Sequence, residues 1–137
     1  MFDKCIYFNS NAFVRQLNRI WDDAYKATGL SAPHAYLLRL VCHEPDISQK
    51  EAGRQLQLEK STITRFVSAL EEQGLLVRLS GANGREVRLK PSATGKRLGK
   101  QLDEIGAGLY KQMRKQLGAN QFEEMLKLMR MGMGVSG

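Results

Sequence analysis

Lys60, Ser61, Thr62, Thr64, Arg65 and Ser68 fall within one short stretch and are of types that grip a ligand rather than break its bonds. Hydroxyls on short side chains let a helix approach a groove closely. An arginine can fork onto the O6 and N7 atoms of guanine or bridge phosphates. Opposite them, Ile63, Phe66, Val67 and Leu70 repeat at i, i+3, i+4 and i+7, which is one helical stripe. The spacing therefore predicts a helix with an apolar back and an edge of hydroxyls and cations. Such an edge suits a major groove, where the first residues of a recognition helix meet the bases. The helix N-terminus also favours a phosphate. Ser and Thr gather at helix starts for a plainer reason, because they cap them, so any one hydroxyl carries that reading too. Arg78, Arg85 and Arg88 follow and extend the basic surface.

Other chemistry finds little support. No Ser/His/acid arrangement, no phosphate-binding glycine loop and no cluster of metal ligands can be read from the chain. No catalytic residue, metal or cofactor is expected, and an enzyme is not. His34 is isolated near a helix start. His43 stands three residues from Asp46 with no third ligand at useful spacing. Cys5 and Cys42 make no disulfide framework. Cys42 lies in an apolar stretch and reads as packed. Cys5 follows Lys4, which could favour a thiolate, so it is a candidate redox residue; its plain reading is a small apolar residue near an interface.

Around the reading edge the elements are legible. Ser48 and Glu51 form a capping box that opens a short helix, Gln49 to Gln55, with Ala52 and Leu56 inward. The polar break Gln57-Leu58-Glu59-Lys60 has the length of a helix-turn-helix turn. Ser61 is expected to cap the second helix, which runs to Gln73 and stops at Gly74. Strands are expected over Leu75–Leu79 and Arg85–Leu89, joined by Ser80 to Gly84, in which Asn83-Gly84 is a strong hairpin signal. Helix, turn, helix and hairpin together predict a winged helix-turn-helix. The acids Glu71 and Glu72 should point away from DNA.

The whole chain has 137 residues, 42% of them hydrophobic, which suits one globular domain. The net charge of +7 attracts polyanions without saying which. Its clustering says more: Arg78, Arg85, Arg88, Lys90, Lys96, Arg97 and Lys100 face the single acid Glu86. No signal-peptide core and no membrane-length apolar run appear, so a cytoplasmic protein is expected. A first helix, from Lys4 or Ile6 to Ala27, carries the stripe Phe13, Leu17, Ile20, Trp21 and Ala24. Ser31 should cap a second, with Pro33 in its first turn and Tyr36, Leu37, Leu40 and Val41 inward. Ser92 opens a long helix to about Leu117, weakened by Gly99, Gly106 and Gly108, which are read as sites of close contact or bending. Asn120 with Glu123 should start a last, Met-rich amphipathic helix.

The run STITRFVSALEEQGLLVR, a wing ending in Arg85, and Pro91-Ser92-Ala93-Thr94-Gly95 together resemble the MarR family of bacterial transcription regulators, over about Ile6 to Met131. The resemblance implies base and phosphate contacts for Ser61, Thr62, Thr64 and Arg65, and a minor-groove contact for Arg85. Two positions depart from the family. Asn83 stands where an aspartate holds the wing arginine, and Gly84 where the first wing arginine would be. Some relatives sense organic peroxides through a cysteine near the start of the first helix, as Cys5 is placed. The tyrosines that orient it there match Ala32 and Ala35 here. The resemblance also implies a homodimer paired through its N- and C-terminal helices, and a ligand pocket between those helices and the winged part, suited to a small aromatic or phenolic ligand.

The expected fold is mainly α with a small β-hairpin wing: a winged helix-turn-helix over about 31–91, with dimerisation helices over about 1–30 and 92–137, in a single MarR-like domain. The expected function is a homodimeric, sequence-specific regulator of double-stranded DNA, a repressor on a palindromic operator released by a small ligand, with Lys60, Ser61, Thr62, Thr64, Arg65, Ser68, Arg78, Arg85 and Arg88 on the DNA. The alternatives are a peroxide-sensing regulator working through Cys5, and a winged-helix module that binds protein or RNA instead.

Overall fold

The computed structural model describes residues 1–80 and 86–134. In chain order it has α1 (Ile6–Tyr25), a 3-10 turn (Lys26–Thr28), α2 (Ala32–His43), β1 (Ile47–Ser48), α3 (Gln49–Gln55), α4 (Lys60–Glu72), β2 (Leu76–Ser80), β3 (Val87–Pro91), α5 (Ala93–Leu117) and α6 (Ala119–Gly132). Two compact units divide it, Met1–Asp103 and Glu104–Gly137, and the boundary falls within α5.

In the first unit α2, α4 and the sheet share a core. Leu37, Leu38 and Val41 of α2, Ile63, Val67 and Leu70 of α4, and Leu75, Leu76 and Leu89 are all buried. Each such side chain contributes about 1.5–3 kcal/mol when taken fully out of water. The stripe of α2 differs from expectation. Leu38 and Ala35 are buried, Tyr36 is exposed and Leu40 is only half-buried. Tyr36 stays at the surface because its hydroxyl accepts a hydrogen bond from Trp21 Nε1 at 3.0 Å, keeping its polar tip wet. Along α1, Phe13, Leu17, Ile20, Trp21 and Ala24 are no more than half-buried, and only Tyr25 is buried.

The expected two-stranded wing is a three-stranded antiparallel sheet in the order β1-β3-β2. Ile47 pairs with Leu89 and Ser48 with Arg88. Two residues are too few to show a strand's alternation, so β1 leaves no sequence signal. The long strands are displaced from Leu75–Leu79 and Arg85–Leu89 because Leu75 serves the end of α4. Its N–H donates to Leu70 O at 3.0 Å and that of Gly74 to Glu71 O at 2.9 Å, the paired bonds of a Schellman cap with Gly74 at φ 73°. The expected Asn83-Gly84 turn and Arg85 lie outside the described residues.

Leu75 O in turn accepts from Ser92 N at 3.0 Å. The Ser92 hydroxyl donates to Gly74 O at 2.6 Å and accepts from Gly95 N at 3.0 Å. One serine thus starts α5 and fastens it to the end of α4. The approach is so close that a Cβ on Gly95 would lie 1.9 Å from Leu75 O. A Cβ on Gly99 would lie 2.6 Å from Cys42 Sγ. Cys42 donates weakly to Gly95 O at 3.6 Å, and burial pushes its thiol up, away from the thiolate. Gly99 is thus a close-contact glycine, whereas a Cβ at Gly108 would meet open space.

Asp103 also binds α5 to α2, accepting from Arg39 Nε at 2.9 Å and bonding His43 Nε2 at 2.7 Å. Partial burial acts to raise its pKa, but the hydrogen bonds and charges of Arg39 and His43 outweigh that and hold the carboxyl below its ordinary 3.8.

In the second unit Leu109, Met113 and Phe122 are buried, and the Tyr110 and Phe122 rings meet edge to face at 5.3 Å. Arg114 pairs with Glu123 at 3.5 Å. The expected Asn120–Glu123 box does not form. Gly118 is the N-cap of α6, with no side-chain cap, and its carbonyl accepts from Phe122 N at 2.9 Å.

Gly95→Ala is expected to destabilise the protein by about 1–3 kcal/mol through overpacking against a main-chain carbonyl. Gly99→Ala should cost less, because a thiol can rotate aside; urea unfolding of the two variants orders them. Asp103→Asn should lower the thermal midpoint at pH 7. A carboxylate with a depressed folded pKa stabilises above its unfolded pKa and stops doing so as pH falls through the folded one. The gap between variant and wild type should therefore begin to narrow near pH 3.8 and close only below the lower folded pKa, and a gap that does not narrow as the pH falls refutes the ion-pair account.

Candidate nucleic-acid interface

The first helix of the motif is capped as its sequence predicts. Ser48 Oγ accepts from Glu51 N at 3.0 Å. The reciprocal half of the box is missing, because the Glu51 carboxylate takes Arg54 Nε at 2.8 Å and Gln55 Nε2 at 3.2 Å. These hydrogen bonds lower its pKa to about 2. The helix closes with a second Schellman cap. Leu58 N donates to Gly53 O at 2.9 Å and Gln57 N to Arg54 O at 3.1 Å, with Gln57 at φ 56°. This is the turn between α3 and α4. Gly53 lets the helices close up, since a Cβ there would sit 3.3 Å from Ile63 Cγ2.

Helix α4 begins earlier than expected. Its N-cap is Glu59, whose side chain makes no capping bond, and Lys60 is the first helical residue. Ser61 therefore does not cap it. It stands exposed in the first turn beside Lys60, where main-chain N–H groups have no intrahelical acceptor. Thr64, Arg65 and Ser68 are likewise exposed and Thr62 half-buried, while Ile63, Val67 and Leu70 are buried and Phe66 is half-buried. The reading edge and the apolar back fall as their spacing predicts.

Arg65 lies 5.8 Å over the Phe66 ring and forms no ion pair among the described residues. The His34 ring lies tilted against the same Phe66 ring, centroids 4.3 Å apart, and hydrogen-bonds Ser31 at 2.6 Å through Nδ1. Burial first, and the nearby Arg65 charge second, lower the pKa of His34. His34 thus supports α4 rather than standing alone in solvent. His43 is committed to Asp103, and among the described residues no three His, Cys, Asp or Glu gather to hold a metal.

The two described wing arginines are less free than their charge suggests. Arg88 donates to Asp46 O and to Glu86 Oε2, both at 2.9 Å, and lies 3.8 Å from the Asp46 carboxylate. Arg78 turns onto α4. It donates to Glu71 Oε1 at 2.9 Å, Thr64 O at 3.1 Å and Ser68 Oγ at 2.9 Å. Both were expected on DNA; in the structure both are occupied by groups of the protein itself. Arg85 lies outside the described residues. Cys5 is exposed at the N-cap of α1, its sulfur accepting from Phe8 N at 3.5 Å.

Sequence reasoning missed Gln49, whose Nε2 donates to Thr64 Oγ1 at 3.1 Å. The pair bridges the two helices of the motif, and no local pattern marks it. Replacing the non-capping residue, Glu59→Ser, should stabilise α4 by about 1 kcal/mol. An unfolding midpoint at or below that of wild type would contradict the observed helix start.

The MarR family model matches residues 28–86. No curated protein matches the sequence. Among solved structures, the transcriptional repressor CouR bound to a 23-mer DNA duplex superposes with a TM-score of 0.86 at 16% identity, covering 95% of this chain and 93% of that one. The M. tuberculosis transcriptional regulator MosR in complex with DNA gives 0.78 at 19%, covering 95% and 97%. The PcaV transcriptional regulator from Streptomyces coelicolor, in complex with its natural ligand, gives 0.78 at 23%, covering 89% of each chain. All three are named as transcription regulators and none as an enzyme. At these identities the neighbours establish the winged-helix fold, and within it residues 28–86, the helix-turn-helix and the start of the wing, match the model of the MarR family.

Proposed function

We propose that this protein is a homodimeric regulator that binds double-stranded DNA by sequence and represses transcription until a small ligand releases it. The observation that carries the reading is the two-sidedness of α4, which buries Ile63, Val67 and Leu70 and leaves Lys60, Ser61, Thr64, Arg65 and Ser68 on one exposed edge. Arg65 would read a base or bridge phosphates; Lys60, Ser61 and the open first turn would hold the backbone. Arg85 is assigned a minor-groove contact by the family resemblance alone. That CouR and MosR are seen with DNA, and PcaV with its natural ligand, supports the same reading.

Dimerisation is supported by apolar surface that each unit leaves uncovered. On α1, Ile6 is 84% and Tyr7 77% exposed; on α6, Met131 is 62% exposed, with Leu128 and Met129 exposed nearby. Apolar side chains gathered this way along a helix suit burial against a second copy. Two copies would place their α4 helices in successive major grooves about 34–36 Å apart, which calls for an imperfect palindrome. The winged part would read DNA while the terminal helices pair the copies.

The test is selection of duplexes from a random pool, followed by gel shifts across a salt series. Arg65→Ala should weaken the selected duplex roughly five- to 150-fold with helicity and dimer mass unchanged. Lys60→Ala should flatten the salt slope by about 0.9. A wild-type protein that prefers no duplex over random competitor would overturn the assignment and favour a module that binds protein or RNA.

A further inference from the structure

The side chains between the wing and the reading edge form a closed set of hydrogen bonds. Thr64 Oγ1 donates to Lys60 O at 2.8 Å and accepts from Gln49 Nε2 at 3.1 Å. Ser68 Oγ donates to Thr64 O at 3.0 Å and accepts from Arg78 Nη2 at 2.9 Å. Arg78 Nε reaches Gln49 Oε1 at 3.5 Å, which links the two halves. Its Nη1 and main-chain N–H hold the two Glu71 carboxylate oxygens at 2.9 and 3.3 Å. One guanidinium on β2 therefore contacts α3 and three turns of α4.

A hydroxyl has one proton to donate and two lone pairs to accept with. At Thr64 and at Ser68 the proton is spent on a helix carbonyl and one lone pair on Gln49 or Arg78. Each hydroxyl has a single lone pair left, so an incoming group must be a donor. In the major groove the base donors are the amino groups of adenine N6 and cytosine N4, whereas guanine O6 and N7 and thymine O4 are acceptors.

Resting on the DNA-reading assignment above, we propose that Arg78 with Gln49 is a positioning pair, which fixes the Thr64 and Ser68 hydroxyls as acceptors and so directs α4 to sites that present an adenine or cytosine amino group beneath them. Arg78 acts through Ser68 and α4 and does not itself touch a phosphate. Lysine at position 78 would keep the charge and lose the fork, because an ammonium cannot span Glu71, Thr64 and Gln49 in one plane.

The experiment uses the duplex that wild type selects from a random pool. Arg78→Lys should keep the salt slope and the affinity for random DNA, and lower the preference for the selected duplex roughly three- to tenfold. In a second arm, each adenine or cytosine amino group of that duplex is replaced by hydrogen in turn. At one or more positions the loss should be felt by wild type and not by the Thr64→Val/Ser68→Ala variant, whose changes are on the surface and spare the core. An Arg78→Lys protein with undiminished preference, or amino-group deletions that affect wild type and the double variant alike, overturns this inference while leaving DNA reading intact. A wild type without any preferred duplex removes the DNA-reading assignment itself, and this inference falls with it.

Discussion

The position of α4 depends on the main chain of a single residue. The N–H of Leu75 closes the end of α4 on Leu70, and its carbonyl receives Ser92 at the start of α5. Leu76 then opens the wing strand directly after it. Three elements are thereby joined within a few ångströms, and the space left over is too small for a methyl group at Gly95. Backbone hydrogen bonds of this kind are costly to leave unmade in a buried place. They fix the angle between helix and wing more tightly than side-chain packing alone, which tolerates rearrangement among hydrophobic residues of similar volume.

With that joint set, the polar face of α4 can be specified residue by residue. The carboxylate of Glu71 sits at the end of the helix that meets the wing, and it draws Arg78 across from β2. An exposed ion pair alone contributes little. Here the guanidinium also satisfies a hydroxyl and a helix carbonyl, so its value lies in geometry more than in charge. Arg88 is used in the same manner, between Asp46 and Glu86. The basic wing thus spends two of its arginines on holding itself in shape.

Local patterns carried most of the fold. The i, i+3, i+4, i+7 stripe of α4, the Ser48 cap and Gly74 as a helix terminator all appear where their residue types place them. What escaped were pairings across long stretches of chain. The strand Ile47–Ser48 exists only because β3 lies beside it, and Asp103 answers Arg39 and His43 some 60 residues away. The start of α4 differs from expectation because Ser61 is a better cap by type than Glu59, yet the Schellman turn at Gln57 delivers the chain into the helix two residues sooner. The site was legible to the same degree. Exposed hydroxyls and Arg65 follow from helical spacing, whereas a sequence gives the sign of Arg78 without saying which partner it faces.

Ser48 serves two masters. It belongs to β1, opposite Arg88 in the sheet, and its hydroxyl caps the first turn of α3. A strain applied to the wing is therefore delivered to the opening of the helix that supports α4, with no flexible segment between them to absorb it. The strand β1, its partner β3 and the helix α3 should therefore swing as one rigid jaw.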